Sequence, residues 1–545
     1  MRRDGLAGEP QRAMRVAPVW LQRTADAIAA RNGVILTDCI AQAEEGQAAQ
    51  VTSAAVLANI EAAVDHLRCV LAERVEGSRE LRRSESAAAA AKDAKERQLY
   101  VEVVVRVATT GALAQYQRAE ACNGQEDGIS NGCGSSGNDN NNNNKSDGSK
   151  PPQQYFDTLA RGLLHVFEAF QEVHSMSRSH YPPYRRGGST VGTVGWDTLL
   201  LLHFVHCIPR AARKASEKVI DEATGMIVRS WRKLLLSLQV EDPRESPEHS
   251  RRRGALAVCN GLLSILFHRY NNHQCRILVN SVAQSEKVAE STNDWGKSIL
   301  RPAQHMTAEV VTFCYYKGRI MLYDRHFAEA HEALREAYHL LPPPGEGTEV
   351  QQRNKQRVRF YLTVAGVAHG KVVPAEILQT DDLIAHVFAP IIAALQRGDP
   401  HAFTTAVDTF SMLLRKRGVY FILQRAKLFC FFVLLARTHA ALGNCSEVDN
   451  SRVPLAVLTA AYTHVVEEGR AASAQANQAQ PYPKKQKRQR AEEDAEGAST
   501  MTDDEMTWWT AKLIACGLVR GYISYEHKTI VLSRQCPFPT LATEA

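Results

Sequence analysis

Apolar residues recur at three- and four-residue steps along most of the chain, a spacing that predicts helices. Trp20 to Cys39 reads as a helix broken near Asn32-Gly33. Residues 50–82 and 85–121 are Ala-rich with the same period; the Ala87 to Ala91 run supports helix by propensity alone. Tyr155 to His174, roughly 197–207 and 211–240, Ala255–Tyr270 and His273–Glu290 continue the pattern. Loops fall at Tyr181-Pro182-Pro183-Tyr184, at Gly187-Gly188 and at the polar break Glu241 to Arg253. Short helices joined by short turns are the rhythm of a helical-repeat array.

The clearest repeat is Pro302 to Leu341. Pro302 can open a helix. Tyr315, Tyr316, Gly318 and Tyr323 fall on a first helix, and Phe327, Ala330, Ala333 and Ala337 on a second that Pro342 to Pro344 stop. Small residues at these spacings let two antiparallel helices approach closely, as in a tetratricopeptide-like (TPR-like) pair. Ala393 to Phe410 reads as helix, Gly398-Asp399 turn, helix; Val419 to Ala441 and Val453 to Val466 are further apolar helices.

At the end of the chain the period changes. Thr502 and Glu505 form a capping box opening a helix on which Met506, Trp509, Leu513 and Gly517 share one face, with Trp508 and Lys512 on another. Gly521 to Ser524 and Thr529 to Leu532 have strand composition and are separated by Tyr525, Glu526, His527 and Lys528, which predicts a hairpin. Helix followed by hairpin is the back half of a winged helix.

Two stretches break the helical pattern. Cys122 to Pro152 is dominated by Gly, Ser and Asn, with a homopolymer run Asn140 to Asn144, and is expected to be a disordered linker. Glu467 to Thr500 is an insertion of Ala, Gln, Pro and charge.

Composition narrows the function classes. With 545 residues and 44% hydrophobic content the chain can bury a large core. Its net charge of +6, from 65 basic and 59 acidic residues, is too slight to argue for nucleic acid without local patches. The 12 cysteines include no CxxC pair, which speaks for free thiols in a reducing compartment. Arg2, Arg3, Arg12 and Arg15 are followed by no apolar signal segment, and the apolar run Leu428 to Ala436 is far shorter than the ~20 residues a membrane span requires, so a soluble intracellular chain without a membrane partner is expected. No GxSxG, HExxH or P-loop is present, so no catalytic residue is assigned and no enzyme or cofactor is expected. His203, His206 and Cys207 lack an i, i+4 spacing between the histidines and have no second cluster near in sequence, so they are read as structural, with no metal site.

The run GLVRGYISYEHKTIVLSRQCPFPTL resembles the C-terminus of the PCI domain-containing protein 2 family, small PCI subunits of the nuclear transcription-export complex, similar to signalosome subunit 12. YYKGRIMLYDRHFAEAHEAL, NKQRVRFYL with HGKVVPAEIL, and more weakly WLQRTADAIAARNG agree with it. The resemblance covers about residues 255–545 with gaps, and the chain departs from the family in its Asn-rich linker and its 467–500 insertion. The expected fold is an all-α helical-repeat (TPR-like) array ending in a PCI winged-helix subdomain with a small β-hairpin. It divides into N-terminal helices 1–121, the linker 122–152, TPR-like repeats 153–345 and a PCI domain 346–545. The PCI domain comprises a helical part 346–440 and a winged helix 441–545 carrying a disordered basic insertion 467–500.

In a winged helix the third helix can enter a groove while the hairpin tip touches the backbone. Lys512, Arg520, Lys528 and Arg534 are therefore the candidate nucleic-acid-binding cations, with Trp508 able to stack on an unpaired base. Lys484, Lys485, Lys487, Arg488 and Arg490 read as a nuclear localisation signal or flexible arm. The resemblance implies a non-catalytic subunit that binds a large scaffold subunit, a small acidic disordered subunit shared with the proteasome lid, and RNA or DNA, at the nuclear pore. The competing reading is a purely structural subunit of a proteasome-lid-like or signalosome-like particle.

Overall fold

The computed structural model describes residues 14–47, 49–51, 60–78, 87–126, 153–179, 196–239, 251–293, 298–300, 307–343, 345–371, 382–443, 451–478 and 501–539. Among these residues the chain forms eighteen α-helices and five short strands. It divides into two compact units, residues 1–313 and 314–545.

In the first unit, β1 (Met14–Val16) pairs antiparallel with β2 (Ala49–Val51), a small sheet that the helical periodicity did not foretell. Helices α1 (Pro18–Ala29) and α2 (Gly33–Glu44) are split where expected. Asn32 caps α2 by accepting from the Ile35 amide, and a Cβ at Gly33 would lie 1.8 Å from the Trp196 carbonyl oxygen. Only glycine admits that approach. Of the segment expected to be helical over 50–82, the described residues are strand at the start, through Val51, and helix at α3 (Ile60–Glu76).

Helix α4 (Ala87–Glu126) runs five residues beyond the expected border and packs against α5 (Gln153–Ser179). The segments before and after the Asn-rich stretch therefore share one body. The Asn tract itself lies outside the described residues. Helices α6 (Thr198–Ala212), α7 (Glu217–Gln239), α8 (Gly254–His268) and α9 (Asn272–Ser291) complete the layer. Phe167, Phe170, Phe204 and Trp231 meet at its centre, with ring centroids 5.2–6.3 Å apart.

Helix α10 (Thr307–Tyr323) contains the border between the units. In the second unit α11 (Phe327–His339) lies so close to α10 that a Cβ on Gly318 would meet Leu334 Cγ at 2.5 Å. This is the small-residue pairing expected of a TPR-like hairpin. Pro302, its expected opening residue, lies outside the described residues. Helix α12 (Glu349–His369) begins with a Thr348–Gln351 capping box and ends on left-handed Gly370. Helices α13 (Asp382–Arg397) and α14 (Pro400–Thr409) are joined by the expected turn: Gly398 takes φ 72°, and Asp399 accepts from the His401 and Ala402 amides. The short α15 (Ser411–Lys416) and long α16 (Tyr420–Gly443) follow.

Helix α16 is the one described helix long and apolar enough to span a membrane by length and composition. Its Phe431, Phe432, Leu434 and Leu435 are instead spent on a protein core. That core belongs to the winged helix, formed by α16, β3 (Arg452–Pro454), α17 (Leu455–Gln478), α18 (Asp503–Ala515), β4 (Gly521–Ser524) and β5 (Thr529–Leu532). The sheet has the order β3-β5-β4 and is antiparallel throughout, with Val453 opposite Ile530 and Ile523 opposite the same residue.

Two details differ from the sequence reading. Val453, taken as helical, lies in a strand: three residues show no period, and β3 exists because β5 supplies its partners. Helix α17 continues to Gln478, so the interruption expected from residue 467 does not begin before the helix ends.

Candidate nucleic-acid interface

The α18 capping box forms as written, with Glu505 N–H donating to Thr502 Oγ1 and Thr502 N–H donating to Glu505 Oε2 at 3.0 Å. The cap fixes the helix phase, and the phase decides which aromatics are buried. Met506 and Leu513 enter the core. Trp509 stacks on Phe431 of α16, with centroids 4.3 Å apart and planes 15° from parallel. Trp508, one residue earlier, turns outward and is 51% exposed. The two indoles meet edge to face at 4.7 Å.

Lys512 sits one turn beyond Trp508, and its Nζ lies 3.6 Å from the Trp508 centroid, a close cation–π contact. The structure thus brings these two candidates together, and it also occupies one face of the ring that was to receive a base. A stacked base must use the other face or displace the ammonium.

Lys427 of α16, which sequence reasoning missed, places its Nζ 5.7 Å over Trp509. Burial pulls its ammonium below the ordinary lysine range. No local signal marked it, because its proximity to Trp509 depends on packing between α16 and α18.

Arg520 stands at the base of the wing. Its N–H donates to the Pro537 carbonyl at 2.9 Å, and its own carbonyl accepts from the Ser533 amide at 2.8 Å. That register sets exposed Arg534 next to the residue facing Arg520. Lys528 is at the other end of the hairpin, roughly 13 Å away along a four-residue strand. It holds a left-handed φ of 45°, and its carbonyl accepts from the Leu455 amide at 2.9 Å, which ties the wing tip to the start of α17. Among the described residues no ion pair engages Arg520 or Lys528, and both are exposed. The Arg520–Arg534 pair and the Lys512–Trp508 pair are each local; the hairpin separates Lys528 from Arg520 and Arg534.

Two tyrosines on the wing also went unnoticed. Tyr522 is 63% exposed and Tyr525 is 76% exposed. Tyr522 lies opposite Val531, which lies opposite Arg452, so these three form a row on the outer face while Ile530 and Val453 point to the core. The period-two pattern of β4 could have found Tyr522. Arg452 depended on the unforeseen β3.

After the wing the chain returns to the core. Phe538 packs edge to face on Phe432 at 5.7 Å and on His439 at 5.4 Å. The basic cluster Lys484, Lys485, Lys487, Arg488 and Arg490 lies outside the described residues. The two histidines read as structural part company: His203 Nε2 meets Glu44 Oε2 at 2.9 Å, and His206 Nε2 meets Glu309 Oε1 at 2.9 Å.

No family model matches the sequence. Among curated proteins, PCI domain-containing protein 2 of Xenopus laevis is 23% identical over 339 residues, covering 61% of this chain and 70% of the relative. PCI domain-containing protein 2 of Danio rerio is 24% identical over 335 residues, covering 61% and 69%. A protein named Protein CSN12 homolog, from Neurospora crassa, is 22% identical over 301 residues, covering 54% and 56%. Together with a helical chain that closes in a three-stranded winged helix, these matches make the protein a homologue of those named PCI domain-containing protein 2 and Protein CSN12 homolog.

Proposed function

We propose that the protein is a non-catalytic PCI-type subunit of a nuclear, pore-associated transcription-export complex. Its helical body engages a large scaffold subunit and a small acidic disordered subunit. Its winged helix presents Arg520, Lys528, Arg534, Lys512 and Trp508 to RNA or DNA. No bond is made or broken; the chemistry is phosphate neutralisation, stacking and positioning.

One observation carries the reading: the described residues of the winged helix include its three-stranded sheet and leave exposed cations at both the base and the tip of its wing. Relatives named for a PCI domain support the coarser statement, a subunit of a multi-subunit assembly without enzymatic activity. Relatives named CSN12 homolog keep the second reading in play, a structural subunit of a signalosome-like particle. Affinity purification of the full chain under nuclear conditions, with mass spectrometry of its partners, separates the two. An export scaffold with bound RNA is expected. Signalosome or lid subunits without that scaffold would overturn the proposal.

A further inference from the structure

In the first unit a polar cluster joins two helices distant in sequence. His203 and Cys207 stand four residues apart on α6, so their side chains share a face. That face packs on α2, whose last residue is Glu44. His203 Nε2 lies 2.9 Å from Glu44 Oε2. One ligand atom from each of Glu44, His203 and Cys207 lies within 4.8 Å of the other two.

The histidine–carboxylate pair accounts for two of the three groups. The buried thiol donates to the Phe204 carbonyl at 3.7 Å, and its sulfur also stands in reach of an imidazole nitrogen and a carboxylate oxygen. That is a donor set for zinc-type ions. In a tetrahedral zinc site, ligand atoms stand about 3.3–3.6 Å from one another, so the three need to move by only ~1 Å.

We propose that Glu44, His203 and Cys207 bind one divalent metal ion of the zinc type, clamping α2 to α6. The Glu44 and His203 side chains retain 13% and 20% exposure, which leaves a route for the ion and for a water as fourth ligand. Burial first, and the Glu44 charge second, hold the Cys207 thiol well above its usual range, so it carries its proton in the free chain. On binding, the S–H bond breaks, the thiolate ligates the metal, and the proton leaves to solvent. His206 takes no part, because it is turned to Glu309. The sequence hid the set: the i, i+4 pair is His203–Cys207 rather than His203–His206, and Glu44 is 159 residues away.

The test is a Co(II) titration of the reduced, chelator-free full-length protein, read by absorption. A thiolate-to-cobalt charge-transfer band should saturate at one equivalent and be displaced by Zn(II). It should vanish in Cys207→Ser and survive in His206→Ala. No band in the wild type overturns the proposal. So does a band that persists in Cys207→Ser, since another of the twelve cysteines would then be its source. If Cys207→Ser loses helical signal, His203→Gln carries the test: affinity falling by roughly tenfold or more supports the site, and unchanged affinity sinks it.

Discussion

Truncating Phe538 to Ala tests whether the tail is part of the winged helix or an appendage. The ring is 9% exposed and contacts Phe432 and His439 of α16. One residue earlier, the Pro537 carbonyl holds the Arg520 amide at 2.9 Å. The tail is thus pinned to the helix on one side and to the wing base on the other. Core Phe→Ala changes cost about 3–5 kcal/mol, and a ring at the margin of a core, where neighbours can close in, falls at the low end, about 3 kcal/mol. That corresponds to roughly a hundredfold in the local opening equilibrium. Amide hydrogen exchange read by mass spectrometry resolves the effect by segment. Peptides covering 518–534 should lose about two decades of protection, while those from α10 to α12 keep theirs. A change below about threefold in 518–534 would refute the clamp.

Three other outcomes follow from named contacts. Gly318→Val must push Leu334 away from a 2.5 Å approach, and a loss of about 1–3 kcal/mol in urea unfolding is expected; an unchanged midpoint would contradict the close helix pair. Trp508→Ala should weaken single-stranded RNA binding by about 1–3 kcal/mol with little change in melting, and equal affinity would remove the indole from the interface. Glu102 is pushed up by burial, but Arg68 and Arg106, each with Nε at 2.7 Å, outweigh this and lower its carboxyl. A folded-state value below the unfolded one gives stability that is full above the unfolded carboxylate range and lost as pH falls through the folded value. Glu102→Gln should therefore flatten the fall in melting temperature below about pH 4.5, and an unaltered acid limb would discount the two arginines.

The parts of the fold legible in the sequence are those specified by neighbours in the chain. The α18 capping box, the Asn32 break, the Gly398-Asp399 turn and the β4–β5 hairpin each involve residues a few positions apart, and each stands where local chemistry put it. What stayed hidden depends on distant partners. Strand β3 has three residues and no period, and it is fixed by β5, some eighty positions later. The β1–β2 ribbon joins residues 14–16 to 49–51 for the same reason. At the candidate interface, the outward turn of Trp508 and the pairing of Lys512 with it were readable from helix phase. Lys427 and Arg452 were not, because their places depend on packing between elements.

The salt dependence of nucleic-acid binding tests the central claim most directly. Each phosphate neutralised by a wing cation contributes about 0.7 to the slope of log affinity against log salt for single strands and about 0.9 for duplex DNA. Reversing Arg520, Lys528 and Arg534 to Glu in the purified assembly should weaken binding and reduce that slope by about 2 to 3. An identical slope and affinity, with the β4–β5 amides still protected from exchange, would contradict the account.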